Sequence, residues 1–164
     1  MTAPVGTAPF TTKESKQSEE NHTQWIRDVI NELGPDWSIR HSMTIEELMG
    51  EKPTYALLKN GKSQVWESDG GFITHKEEVV GVAENKWQKA RENACERACR
   101  YLTCFNPEQI FVSCSGPGFV LKNGGGATGP LLDMLKHCGV CVTENVNEEQ
   151  EFKAIFKTWV TSLI

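Results

Sequence analysis

Two hydrophobic periods divide this chain, and they predict its elements. Residues 1–18, rich in Thr, Ser, Pro and Lys, show neither period and read as a flexible arm. From about Glu20, Trp25, Ile26, Val29, Ile30 and Leu33 recur at helical spacing, and Gly34-Pro35 ends the segment. Thr44-Ile45-Glu46-Glu47 is a capping-box pattern that opens a short helix, closed by Gly50. Residues 19–52 therefore predict a helical N-terminal extension that precedes the main body.

The body, residues 53–146, begins with period-two patterning. Tyr55 to Lys59 and Ser63 to Glu67 flank Asn60-Gly61, a dipeptide suited to a tight hairpin. Gly70-Gly71 makes a second break, and Phe72 to Val82 supplies a third extended run. A helix follows with Trp87, Ala90, Ala94, Ala98, Tyr101 and Leu102 on one stripe, small enough to lie close to a sheet. Ile110 to Cys114 has the continuous apolar character of a buried parallel strand. A glycine-rich loop, Ser115 to Gly129, leads to a helix carrying Leu131, Leu132 and Leu135, then to a strand from Val140 to Thr143.

Residues 147–164 form a last, amphipathic helix with Phe152, Ile155, Phe156, Trp159, Val160 and Leu163 on one face. That face must be buried, against this body or against a partner. The order predicts an α/β (α+β) fold. Its mixed sheet has three antiparallel strands followed by α-β-α-β, the order of the ribonuclease H-like architecture.

Composition narrows the classes. No run approaches the ~18 apolar residues of a membrane span. The first twelve residues carry no charged side chain and no long apolar stretch, so neither a signal peptide nor an Arg-rich transit peptide is visible. Six cysteines, several at helical spacing, read as reduced intracellular thiols. Net charge is −5, with the acidity concentrated in residues 1–52, which hold 5 basic against 9 acidic groups. Residues 53–146 balance at 10 against 10, and within them Lys86, Lys89, Arg91, Arg97 and Arg100 face only Glu92 and Glu96. A locally basic helix of this kind suits a phosphate contact or an ordinary solvated face.

Two-metal phosphoryl hydrolysis needs carboxylates converging on paired cations. The expected first strand, Tyr55-Ala56-Leu57-Leu58-Lys59, and the later strand end, Val112-Ser113-Cys114, offer none. No enzymatic activity is therefore expected. Cys138-x-x-Cys141 has zinc-ligand spacing, but it straddles a helix end and a strand, so no metal and no cofactor are expected. The loop Ser115-Gly116-Pro117-Gly118 with Gly124-Gly125-Gly126 lacks the Lys-Ser/Thr ending of a nucleotide-binding P-loop. It reads as a phosphate-facing backbone turn or as a surface insertion.

Taken in order, residues 53–146 resemble the universal small-subunit ribosomal protein eleven family (bacterial naming). The resemblance is carried by Gly61-Lys62-Ser63-Gln64-Val65-Trp66, Gly70-Gly71, the helix around Ala94 and Ala98, the strand Ile110 to Ser113, Gly116-Pro117-Gly118, and Leu135 to Thr143. The family's basic loop is reduced to His75-Lys76 followed by Glu77-Glu78, and its basic tail is replaced by the helix 147–164. This pattern implies a divergent, mitochondrial member, with a cytoplasmic one as the alternative. It would bind ribosomal RNA and contact neighbouring ribosomal proteins through the N-terminal helices and the 147–164 helix. The resemblance places RNA contacts on Lys76, Lys86, Lys89, Arg91, Gly116, Pro117, Gly118 and Lys122. It also requires Ile110–Cys114 to share a sheet with the Tyr55 hairpin.

A second resemblance covers Pro53-Thr54-Tyr55 through Leu102 and is to double-stranded RNA-binding domains. There the basic residues ahead of Ala94 and Ala98, Lys86, Lys89 and Arg91, would clamp phosphates across a groove. A third reading makes the chain a protein-interaction adaptor docking through its C-terminal helix.

Overall fold

The computed structural model describes residues 12–49, 58–59, 62–63, 65–87, 91–115 and 128–164. Helix α1 (Thr12–Glu32) buries Ile26, Val29 and Ile30, the stripe that its 3.6-residue period predicts. The expectation of a wholly helical extension over 19–52 is corrected by the next element, strand β1 (Trp37–Thr44). Trp37, Ile39, His41 and Met43 alternate with Ser38, Arg40, Ser42 and Thr44, and that period-two run adds an edge strand to the main sheet. Helix α2 (Ile45–Met49) starts at the expected capping box. The Thr44 N–H donates to Glu47 Oε2 at 2.8 Å and the Glu47 N–H to Thr44 Oγ1 at 3.1 Å.

Strands β2 (Leu58–Lys59) and β3 (Lys62–Ser63) form the predicted hairpin, but as a separate two-stranded sheet. The edge it was expected to occupy is taken by β1, whose Ser42, Met43 and Thr44 pair with Glu67, Trp66 and Val65. Strand β4 (Val65–His75) passes straight through Gly70-Gly71, so the expected break there is a bulge inside a strand. Arg40 pairs with Phe72 and Ser42 with Glu67, leaving His41 opposite the four residues Ser68 to Gly71.

The run Phe72 to Val82 is not one strand either. It folds back at Lys76-Glu77 into strand β5 (Glu78–Trp87). Both turn residues are left-handed, with φ of 50° and 70°, the geometry of a type I′ turn that normally takes Asn-Gly. Neither Lys nor Glu favours that region. Replacing the pair by Asn-Gly should stabilise the fold by about 1–2 kcal/mol, read as a higher urea midpoint at unchanged slope. An unchanged or lowered midpoint would show that the turn is unstrained.

The remaining elements are α3 (Arg91–Tyr101), a short 3-10 turn at Pro107–Gln109, β6 (Ile110–Ser115), α4 (Thr128–Cys138), β7 (Cys141–Glu144) and α5 (Glu149–Thr161). The helix α5 cap sits at Glu148, whose carboxylate accepts from the N–H groups of Gln150 and Glu151.

The main sheet runs β1-β4-β5-β6-β7, antiparallel through β5 and parallel from β5 to β7. Five strands and two helical layers give a mixed α/β fold. One face carries α2, α3 and α4 over Phe72, Val82, Ile110 and Val112, with Ala98, Tyr101 and Leu132 buried between. The other carries α1 and α5 over Ile73, Ala83 and Phe111. The apolar side of α5 is consumed there, since Phe152, Phe156, Trp159 and Val160 are buried on this chain's own sheet.

Buried His22 ties the two helices of this layer to the sheet end. Its Nδ1 lies 2.8 Å from the Ser18 carbonyl, its Nε2 lies 2.9 Å from that of Val146, and its ring meets the Phe152 ring edge-on. The strand beside β6 is thus β5, third of the antiparallel set, and the described part of the Tyr55 hairpin lies outside the sheet. Beyond the shared α/β class, the strand order required by the ribosomal resemblance is not met.

Candidate functional site

Parallel pairing decides what meets what. Lys86 pairs with Cys114 and Trp87 with Ser115, while Cys114 pairs in turn with Glu144. The carboxyl ends of β5, β6 and β7 therefore share one sheet edge, the edge where open α/β sheets place their ligands. The last residues of β5 and β6, Trp87 and Ser115, lie side by side there. Lys89, Gly116, Pro117, Gly118 and Lys122 lie outside the described residues, and Arg91 opens α3. Lys76 is in the β4–β5 turn at the opposite end, about 30 Å away at ~3.3 Å per strand residue. The fold does not bring it to the others.

Lys86 has partners of its own. Its ammonium meets Asp69 Oδ2 at 2.6 Å and Glu84 Oε1 at 3.6 Å, and its side chain is only 14 % exposed. Lys86, an expected phosphate contact, is thus engaged in internal ion pairs with Asp69 and Glu84. Arg97 is similarly engaged, donating to the Glu67 carbonyl at 2.8 Å, and Arg100 lies over the Trp66 ring.

Glu84 is the group that sequence reasoning missed. It is 1 % exposed, and its Oε2 accepts from Ser68 Oγ and from the Tyr101 hydroxyl, each at 3.0 Å. Burial pushes the Glu84 carboxyl above the ordinary range, the Asp69 charge adds to this, and Lys86 opposes it. Burial beside Glu84 likewise raises the Tyr101 phenol, keeping it a donor. The bulge at Ser68–Gly71 makes the arrangement possible: it turns Ser68 inward to the Ala83 carbonyl and Glu84, and leaves Asp69 half-exposed beside Lys86.

The acid-bearing strand is therefore not the Tyr55 strand but β5, the one beside β6, where Lys86 bridges Glu84 to a second acid, Asp69, on β4. A glutamate following the apolar run Val79-Val80-Gly81-Val82-Ala83 was the available signal.

On the opposite face, Asn85, Ser113 and Thr143 form a buried polar row in register across β5, β6 and β7. Asn85 Nδ2 donates to Thr23 Oγ1 at 3.2 Å, while Asn85 Oδ1 and Thr143 Oγ1 have no hydrogen-bond partner among the described residues. Among the described residues no group of three His, Cys, Asp or Glu side chains is disposed to hold a cation. Burial raises the Cys141 thiol to about 11, which disfavours the thiolate that zinc or redox chemistry requires. Comparison with known families, known proteins and solved structures finds no match to this chain.

Proposed function

We propose that this chain is a non-catalytic RNA-binding protein. The observation that carries the reading is the β5–β6 pairing. It sets Trp87 and Ser115 side by side at the strand ends, and the sequence continues from the first toward Lys89 and Arg91 and from the second into Gly116-Pro117-Gly118. Topology does not carry it, because the strand order differs from the ribonuclease H-like one. A double-stranded RNA-binding module ending near Leu102 fits less well, since β6 and β7 complete the same sheet and α4 and α5 cover it.

Charge reversal at the edge tests the proposal. Lys89→Glu with Arg91→Glu should lower ultraviolet crosslinking of the chain to RNA in a lysate by about tenfold or more, because phosphate contacts dominate such affinity. A parent chain to which no RNA crosslinks would overturn the reading.

A further inference from the structure

Several cations of this chain are neutralised by its own acids. Arg40 meets Glu47, Lys86 meets Asp69 and Glu84, Lys136 meets Glu144, and Lys153 meets Asp28 and Glu149. Arg97 and Arg100 are different. They stand three residues apart on α3, so their side chains are neighbours, and neither forms an ion pair among the described residues. Both are nevertheless held in place. The Glu67 carbonyl takes one N–H of Arg97 at 2.8 Å and cancels none of its charge. The Arg100 Cζ lies over the Trp66 ring, 5.6 Å from its centroid, within reach of a cation–π contact.

The start of β4 fixes this arrangement. Trp66 is in register with Met43 of β1, and its ring stands at a steep angle to the buried Tyr101 ring, with centroids 6.2 Å apart. Tyr101 and Arg97 donate to the same Glu67 carbonyl, which ties α3 to the strand. Arg100 itself is exposed, so its guanidinium is backed by an indole and remains accessible. The helix dipole favours a positive charge in the last turn of α3. That does not account for an arginine laid on a tryptophan, when exposed Glu96, one turn earlier, stands unused as its ion-pair partner.

An accessible guanidinium plane backed by an aromatic ring is the kind of surface on which single-stranded nucleic acids lay their bases. The uncommitted N–H groups beside it suit a phosphate. We infer that Trp66, Arg97 and Arg100 form a nucleotide-stacking contact for single-stranded RNA. A base lies on Arg100, with Trp66 behind it, and the adjoining phosphate accepts from Arg97 and Arg100. The inference rests on the RNA-binding reading and specifies the form of RNA bound. It places the contact at the opposite end of α3 from Arg91.

The test is fluorescence anisotropy of the full chain with a fluorescein-labelled single-stranded RNA of mixed sequence. Arg100 is exposed, so its substitution leaves the core intact. Arg100→Ala should weaken binding about fivefold or more, the effect of losing one stacked base. Lys157→Ala, which removes the same charge from exposed α5 surface, should leave binding within about twofold. Arg100→Lys keeps the charge without the plane and should bind as weakly as Arg100→Ala. On an abasic oligonucleotide of equal length, parent and Arg100→Lys should bind alike. Equal loss in Arg100→Ala and Lys157→Ala would overturn the inference. So would Arg100→Lys binding as the parent does, or duplex RNA or a phosphoserine peptide competing as well as the single strand. RNA crosslinking that falls in the Lys89→Glu, Arg91→Glu variant but is unmoved by Arg100→Ala overturns this inference alone. A parent chain that binds no RNA overturns both readings.

Discussion

Lys86→Met should destabilise the protein by about 3 kcal/mol at pH 7, whereas Glu84→Gln should leave it equal to or more stable than the parent. The asymmetry follows from which charge is buried. Removing the ammonium strands the Glu84 carboxylate in the sheet, the most costly way to break an ion pair, at roughly 3–5 kcal/mol. Glutamine instead keeps an acceptor for Tyr101 and Ser68 and leaves Lys86 to Asp69.

The pH dependence carries a sign. Because the folded-state pKa of Glu84 is raised, its contribution is fully present below the unfolded value and is lost as pH rises through the folded one. Glu84→Gln should therefore flatten the decline of melting temperature above about pH 4.5. The Lys86→Met deficit should shrink as pH falls, because protonation of Glu84 then leaves no bare charge. Thermal unfolding at several pH values measures both effects. A Lys86→Met variant as stable as the parent at pH 7, or a deficit independent of pH, would show that Glu84 is not held as a carboxylate by Lys86.

Gly71→Ala should cost about 3 kcal/mol or more, from two sources. The backbone there has φ of +103°, which an L side chain rarely adopts, and a Cβ would overlap Ile39 Cγ2. Adding Ile39→Ala should recover part of the loss, since that methyl is removable while the dihedral cost stays. Gly70→Ala offers a contrast. Its Cβ would sit 2.6 Å from the Ala83 carbonyl oxygen, so the obstacle is backbone and no neighbouring truncation relieves it. Urea unfolding of the single and double variants gives the coupling energies. Additive behaviour of Gly71→Ala and Ile39→Ala, with no recovery, would refute the proposed contact.

Much of the local structure was readable from residue order. The stripes of α1 and α5, the capping box at Thr44 and the strand at Ile110 all follow from period and turn chemistry, whereas Trp87, expected on the stripe of α3, ends β5 and only Ala98 and Tyr101 of that stripe are seen buried. Strand β1 was readable too, because Trp37, Ile39, His41 and Met43 alternate with polar neighbours, though the helical pattern of the surrounding segment obscured it. The turn at Lys76-Glu77 was not readable. Neither residue signals a left-handed bend, and the pairing of His75 with Glu78 imposes it.

For this chain, side-chain periodicity determined which segments are helices and strands and which of their faces are apolar, because those properties depend on neighbours a few residues away. Tertiary structure alone decided that β1 rather than the Tyr55 hairpin borders β4, and that β5 borders β6. It also decided that Glu84, Lys86 and Asp69 converge while Lys76 stands apart. An alternating strand specifies a face to bury but not a partner to pair with. The charge network exists only where that choice of partner brings Ser68, Tyr101 and the bulge together.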